Sequence, residues 1–274
     1  MSGSSFHPPV TTSIFNWISS LPTWAAVAVT GLTCAVSTFL FLAAFSPIAS
    51  RLLRDDKDTR ELFGYTLLAF GVFYALLVGL LTIATYSTFN SVRNMVGREA
   101  ASLAALYRSV SGYPETIRPA LQGDLREYAD FLIEDAWELQ SRGIIASGGV
   151  PIMNRFQRNL TSFEPSTKGQ EILHAETLRM FTENTLFRRE RMRSVVAGLP
   201  SLMWFLVGSG AVLLLLLITC YRIRRGIQYF LGASIAFFLG IMILIISALD
   251  HPYRGVLKVD SRPFQLVREQ LMPP

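Results

Sequence analysis

Four stretches of the chain carry no Asp, Glu, Lys or Arg: Met1–Ser50, Leu62–Val92, Ser194–Tyr221 and Gly226–Leu249. Each is long enough for a helix of about 20 residues to cross a bilayer. The pattern predicts a first span from Pro22 to Phe45, before Pro47. Along it Thr30, Thr33, Cys34, Ser37 and Thr38 recur at helical spacing, a face of small polar groups that lets another helix approach closely. A mixed-charge turn, Arg51 to Glu61, leads into a second span starting near Leu62. Its charge-free run exceeds what the hydrocarbon core needs, so this helix either tilts or projects from the bilayer as one rod. Gly64, Gly71 and Gly79 suit close contacts or a bend, and Thr82, Thr85, Tyr86 and Phe89 form a polar-aromatic face at its far end. The third span is read as Leu202–Tyr221 and the fourth as Ile227–Leu249, joined by the basic turn Arg222-Ile-Arg-Arg225.

Between the second and third spans the pattern turns amphipathic. From Val96 to Val110, Ala100, Leu103, Ala104 and Tyr107 share a face, so the second helix is expected to continue. Ser111-Gly-Tyr-Pro-Glu115 interrupts it. The next helix is expected from Ile117 or Arg118 to Arg142, with Pro119 in its first turn and Gly143 just past its end. One side is apolar (Leu125, Tyr128, Leu132, Leu139) and the other acidic (Asp124, Glu127, Asp130, Glu134, Glu138). Residues 144–167, rich in Gly, Ser and Pro, read as a loop. A last helix, Gly169–Val196, alternates in sign through Glu171, His174, Arg179, Glu183 and Arg188. The expected architecture is therefore all-α. An N-terminal segment (1–21) precedes transmembrane helices 1 and 2 (22–92). An extramembrane helical insert (93–193), transmembrane helices 3 and 4 (194–249) and a C-terminal tail (250–274) follow, a 2+2 arrangement around the insert.

Composition narrows the function. Of 274 residues, 51% are hydrophobic and 16% charged, against about 25% charged in soluble domains. This excludes a soluble globule, a disordered chain and a disulfide-rich secreted module. The net charge of +5 sits beside span ends, where it meets lipid headgroups, so no nucleic-acid partner is expected. Met1–Thr23 lacks the basic start of a signal peptide, and the apolar run from Trp24 is too long for one. Cys34 and Cys220 have no CxxC companion and read as small hydrophobes. His7, His174 and His251 lack metal-ligand spacing, and no HExxH, GxSxG, P-loop or dinucleotide-binding glycine pattern occurs. No enzyme activity, cofactor or metal is expected. Gly208-Ser-Gly210 reads as a packing motif. Asp250 is placed to cap the end of the fourth helix or to pair with Arg254.

Charge also bears on topology. The short turns carry Arg51, Arg54, Lys57, Arg60, Arg222, Arg224 and Arg225, which favours turns in the cytoplasm; Arg93, Arg98, Arg188, Arg189, Arg191 and Arg193 on the insert side argue the reverse. The expected location is the cell (inner or plasma) membrane, multi-pass. Uncharged spans disfavour a proton relay or voltage sensor. They suit a channel with an apolar constriction, for which Phe70, Phe73, Tyr74, Leu77 and Leu81 on the second span are candidate neck residues. Packed or lipid-facing bulk is the plainer reading of the same side chains. The alternative function is a non-conducting scaffold or sensor whose acidic face, Asp124 to Glu138, binds a protein partner.

Several motifs carry a resemblance. They are Arg60-Glu-Leu-Phe-Gly64, Tyr74-Ala-Leu-Leu-Val-Gly-Leu-Leu81, Arg98-Glu-Ala-Ala-Ser-Leu-Ala-Ala-Leu-Tyr-Arg108, Ser111-Gly-Tyr-Pro-Glu115, Leu125-Arg-Glu-Tyr128, Glu134-Asp-Ala-Trp137, Arg189-Glu-Arg-Met-Arg193, Leu199-Pro-Ser-Leu-Met-Trp204 and Asp250-His-Pro-Tyr-Arg-Gly255. Together they cover Arg60 to Phe264 and resemble the bestrophin-like domain family of bacterial membrane proteins, itself distantly similar to bestrophin anion channels. The resemblance implies four spans per subunit, a helical domain between the second and third, a homo-oligomer (a pentamer by analogy), and an apolar neck on the second span. It would place the insert in the cytoplasm. The acidic calcium clasp that animal bestrophins carry after the fourth span has no counterpart here, where only Asp250 and Asp260 lie nearby, so calcium gating is not implied.

Overall fold

The structure, a computed structural model, describes residues 22–52, 57–221, 224–254 and 257–272. The N-terminal segment 1–21, Arg54 and Arg222 of the two turns, and Gly255 lie outside them. The described residues are helical, with no strand among them. Four helical segments are long and apolar enough to cross a membrane: Trp24–Ser46, Glu61–Val110, Ser201–Cys220 and Arg225–Asp250. The chain divides into two compact units, one formed by 1–88, 199–250 and 255–257, the other by 89–198, 251–254 and 258–274. One helix is common to both: α2, Lys57–Val110, is unbroken over 54 residues. The helix expected to continue past Val92 through Ala100, Leu103 and Tyr107 does so, to Val110.

The first unit packs α1 (Thr23–Leu52), the first part of α2, α7 (Ser201–Cys220) and α8 (Arg225–Asp250). Helix α1 continues through Pro47 rather than ending before it. It lies mainly along α8, and the small-residue face explains why: a Cβ on Gly240 would sit 2.7 Å from Cys34 Sγ. Thr38 is buried on the same face. The approach is close because little side chain intervenes, which is how helices associate where lipid is as apolar as leucine. Gly210 plays the same part on α7, lying directly under the Tyr74 ring, whose hydroxyl donates to the Val207 carbonyl at 2.8 Å.

The α7–α8 hairpin is latched at both ends by polar side chains. At the turn, Gln228 is buried and its Nε2 donates to the carbonyls of Ile218 (2.9 Å), Thr219 (3.1 Å) and Tyr221 (3.3 Å), the last carbonyls of α7. These have no partner within their own helix. At the open end, Asp250 accepts from the Leu199 amide at 2.6 Å and from the Trp204 indole at 3.3 Å. The aspartate thus ties the last turn of α8 to the start of α7 instead of only capping its own helix.

The second unit contains the rest of α2, α3 (Arg118–Phe131), a π-helical turn (Leu132–Ala136), α4 (Trp137–Ser141), α5 (Gly149–Thr161), α6 (Lys168–Ser194) and α9 (Arg262–Leu271). One expectation fails. The stretch 144–167 is not a loop throughout: α5 forms because Ile152, Met153, Phe156 and Leu160 recur on one buried face, with Pro151 in the first turn. The C-terminal segment carries a helix that packs: α9 buries Phe264 against Trp137 (ring centroids 5.6 Å apart), and Arg268 binds Asp130. The π-turn shifts the register of the long acidic helix. The buried face runs Leu121, Leu125, Tyr128, Leu132, then Ala136 and Gln140, while Leu139 is only partly buried. One extra residue per turn produces that offset.

A polar seam joins α2 to α6. Thr177, Asn184 and Arg191 stand seven residues apart and are buried. They meet Ser109 (hydroxyls 2.6 Å apart), Ser102 (2.7 Å from Asn184 Nδ2) and Glu99. Glu99 is 0% and Arg191 2% exposed, bonded Nε–Oε2 at 2.6 Å and Nη2–Oε1 at 3.2 Å. Tyr128 also donates to Glu99 Oε1, at 3.1 Å. Burial lowers the affinity of Arg191 for its proton, but the adjacent Glu99 charge outweighs it and holds the guanidinium above its ordinary pKa. Burial, reinforced by Glu99, pushes the Tyr128 hydroxyl well up, so it stays a donor.

Replacing one partner of a buried ion pair leaves the other charge stranded, typically at about 3–5 kcal/mol. Arg191→Met should therefore strongly lower the chemical denaturation midpoint followed by circular dichroism, and Glu99→Gln combined with it should recover part of the loss. In the first unit, Gln228→Leu removes the donor for the α7 carbonyls and should cost about 1–3 kcal/mol, read as a lower melting temperature in detergent. Equal stability of Gln228→Leu and the parent would show that the latch carries no weight.

Candidate functional site

Within the first unit, α2 presents three different faces. One is packed. Tyr74 (4% exposed), Val78, Leu81 (9%) and Thr85 are buried, with Phe70 and Leu77 half-buried beside them. Phe70 stacks on Tyr74 at 6.0 Å with rings nearly parallel. The five candidate neck residues therefore do not share an open face: four lie on this packed side, and only Phe73, 72% exposed, lies off it. The sequence could not separate them, because α2 is apolar on nearly every side and its periodicity is weak.

The second face is bare. Leu62, Ala69, Phe73, Leu76, Leu80, Ile83 and Ser87 are all exposed and recur at spacings of three, four or seven. The result is a stripe, apolar from Ala69 to Ile83, with no covering helix from the described part of its own unit. The polar band expected near the end of the span satisfies itself: Thr82, Thr85 and Thr88 donate to the carbonyls of Val78 (2.8 Å), Leu81 (3.0 Å) and Ala84 (3.1 Å).

The third face opens on a groove of about 820 Å³ between α2 and the α7–α8 pair. Gly64, Gly71, Ala75 and Gly79 form its α2 wall; Leu214, Tyr221, Ser234, Phe238 and Met242 line the other side. Nothing lies within 4 Å of where a Cβ on Gly71 or Gly79 would stand.

In the second unit the acidic residues expected to face a partner are largely engaged by the chain itself. Asp124 is buried, accepting from Arg155 Nε at 2.5 Å and Asn159 Nδ2 at 2.8 Å. Glu127 pairs with the same Arg155, Asp130 with Arg268 at 2.6 Å, and Glu138 with Arg142. Glu134 is exposed. The hydrogen bonds from Arg155 to Asp124 and Glu127 raise the pKa of that guanidinium. The partners are arginines on α5, in a stretch that reads as a loop, and on α9, in the C-terminal tail, so the sequence pattern does not bring them to the acidic side. His174 accepts or donates at Nδ1 to the Tyr113 hydroxyl (2.9 Å) and packs edge-on against Phe163. Among the described residues no three His, Cys, Asp or Glu side chains cluster as metal ligands would.

No functionally curated protein matches the sequence. Solved structures do. A bacterial bestrophin homolog from Klebsiella pneumoniae is 16% identical with a TM-score of 0.61, over 86% of this chain and 98% of that one. A point variant of the Klebsiella pneumoniae homolog is 14% identical with a TM-score of 0.62, over 86% and 96%. At this identity the likeness establishes the fold. The sequence pattern of the Bestrophin-like domain matches residues 32–264, most of the 274-residue chain. The chain belongs to the bestrophin-like domain family.

Proposed function

We propose that this protein is a homo-oligomeric ion channel of the cell membrane, with α2 lining the permeation path. The proposed topology takes 22–92 and 194–249 as the membrane regions, 93–193 as an extramembrane helical insert, and 250–274 as a tail attached to that insert. The bare stripe of α2 is the observation that carries the reading. A helix that meets copies of itself around an axis presents the same side from each copy, and the exposed side of α2 through Phe73, Leu76 and Leu80 is open to such copies.

On this reading the constriction is formed by Phe73, Leu76 and Leu80 rather than by the packed Tyr74 and Leu81. Apolar rings of this kind control permeation by excluding water until they widen. Membership of the bestrophin-like family supports the channel assignment, and the resemblance to bestrophin anion channels is the ground on which anions are proposed as the permeant class. The scaffold reading is weakened, since most of the acidic side is bound by Arg155, Arg268 and Arg142.

Purified protein in planar bilayers should give discrete conductance with a chloride gradient setting the reversal potential. Leu76→Ser or Leu80→Ser should raise conductance or open probability several-fold, because a polar ring wets more readily. Tyr74→Phe should change stability more than current. Absence of conductance across ions and pH, from a protein that is monomeric by mass measurement, would overturn the proposal.

A further inference from the structure

The groove beside α2 has a polar end and an apolar length, and that asymmetry points to a ligand. Tyr221 lines one end, its ring 3.4 Å from the Cβ position of Gly64. Three residues further along the chain come Arg224 and Arg225, both exposed. From Gly64 to Gly79 the α2 wall advances roughly 22 Å at 1.5 Å per helical residue. That exceeds half of the ~30 Å hydrocarbon core, so the groove extends through one leaflet and beyond the midplane. Its lining is almost wholly carbon. The Ser234 hydroxyl is satisfied by the Phe230 carbonyl at 2.8 Å, which leaves it no demand on a ligand.

We infer that the α2/α7/α8 groove is a binding site for a glycerophospholipid with an anionic headgroup, one acyl chain lying in the groove and the phosphate held by Arg224 and Arg225. A groove inside a membrane-crossing unit is filled either by protein or by acyl chain, since water cannot enter at low cost. Two adjacent exposed arginines at one end select the sign of the headgroup, each worth about 1 kcal/mol near an anionic surface. Tyr221 suits the boundary, an amphipathic ring lying over Gly64 at the end of the α2 wall. At the same end Gln228 bonds the carbonyls of Ile218, Thr219 and Tyr221 and fixes the end of α7 to the first turn of α8. This inference rests on membrane placement alone and does not depend on conduction.

Native mass spectrometry of the purified full chain, titrated with phosphatidylglycerol or phosphatidylcholine, tests it. Phosphatidylglycerol should be retained preferentially and should raise the melting temperature. The exposed double variant Arg224→Gln, Arg225→Gln should lose roughly thirtyfold in phosphatidylglycerol affinity and fall to the phosphatidylcholine level with unchanged circular dichroism. Gly71→Phe, placed where a side chain meets nothing, should reduce retention of both lipids. Equal retention of the two lipids by the parent protein, or retention unaffected by the arginine pair, would overturn the proposal. So would a Gly71→Phe variant that changes the oligomeric state while leaving lipid retention intact, since the groove would then be an interface between copies.

Discussion

Glu99 cannot remain ionised in the interior of a helical unit without a partner, and the second unit is arranged around meeting that requirement. Moving a carboxylate out of water costs several kcal/mol even after relaxation. Arg191 returns much of this with two hydrogen bonds, Tyr128 adds a third, and the Trp137 ring lies 5.7 Å from the guanidinium carbon. Each of these partners comes from a different place: α2, α6, α3 and α4. Sliding α6 by one turn would move Arg191 away from Glu99 and also separate Asn184 from Ser102 and Thr177 from Ser109. The seam therefore sets register in the way that polar residues do at buried positions of coiled coils. Hydrophobic burial supplies most of the cohesion; the polar seam decides which of several similar packings is adopted.

The first unit solves a related problem with different means. There, specificity comes from small residues and from backbone groups at helix ends. Gly240 against Cys34 and Gly210 against Tyr74 fix where helices touch. Gln228 and Asp250 satisfy amide and carbonyl groups that a membrane offers no water to meet. The same economy leaves two faces of α2 uncovered, the stripe through Leu76 and the groove through Gly71. An uncovered face in this setting is open to lipid or to a second copy of the chain.

The readability of the sequence followed from physics. Charge-free runs located the four spans because charge in hydrocarbon is expensive. The continuity of α2 past Val92 showed in the face built by Ala100, Leu103 and Tyr107. Helix α5 was hidden by Gly148, Gly149 and Pro151, although Ile152, Phe156 and Leu160 carried the helical period. The faces of α2 were not separable: Phe70, Phe73, Tyr74 and Leu77 are all bulky and apolar, and only the neighbours distinguish packed from bare. Pairing was invisible as well. The acidic run from Asp124 to Glu138 looked like a solvated face until Arg155 and Arg268 were placed beside it.

The close seat of α1 on α8 bears on how the protein is made. The first span leaves the ribosome long before the last, and the Cys34–Gly240 contact cannot exist until residue 240 has been synthesised. Until then the small-residue face of α1 lacks the helix it packs against. Truncation anywhere before α8 therefore removes the surface on which α1 is seated.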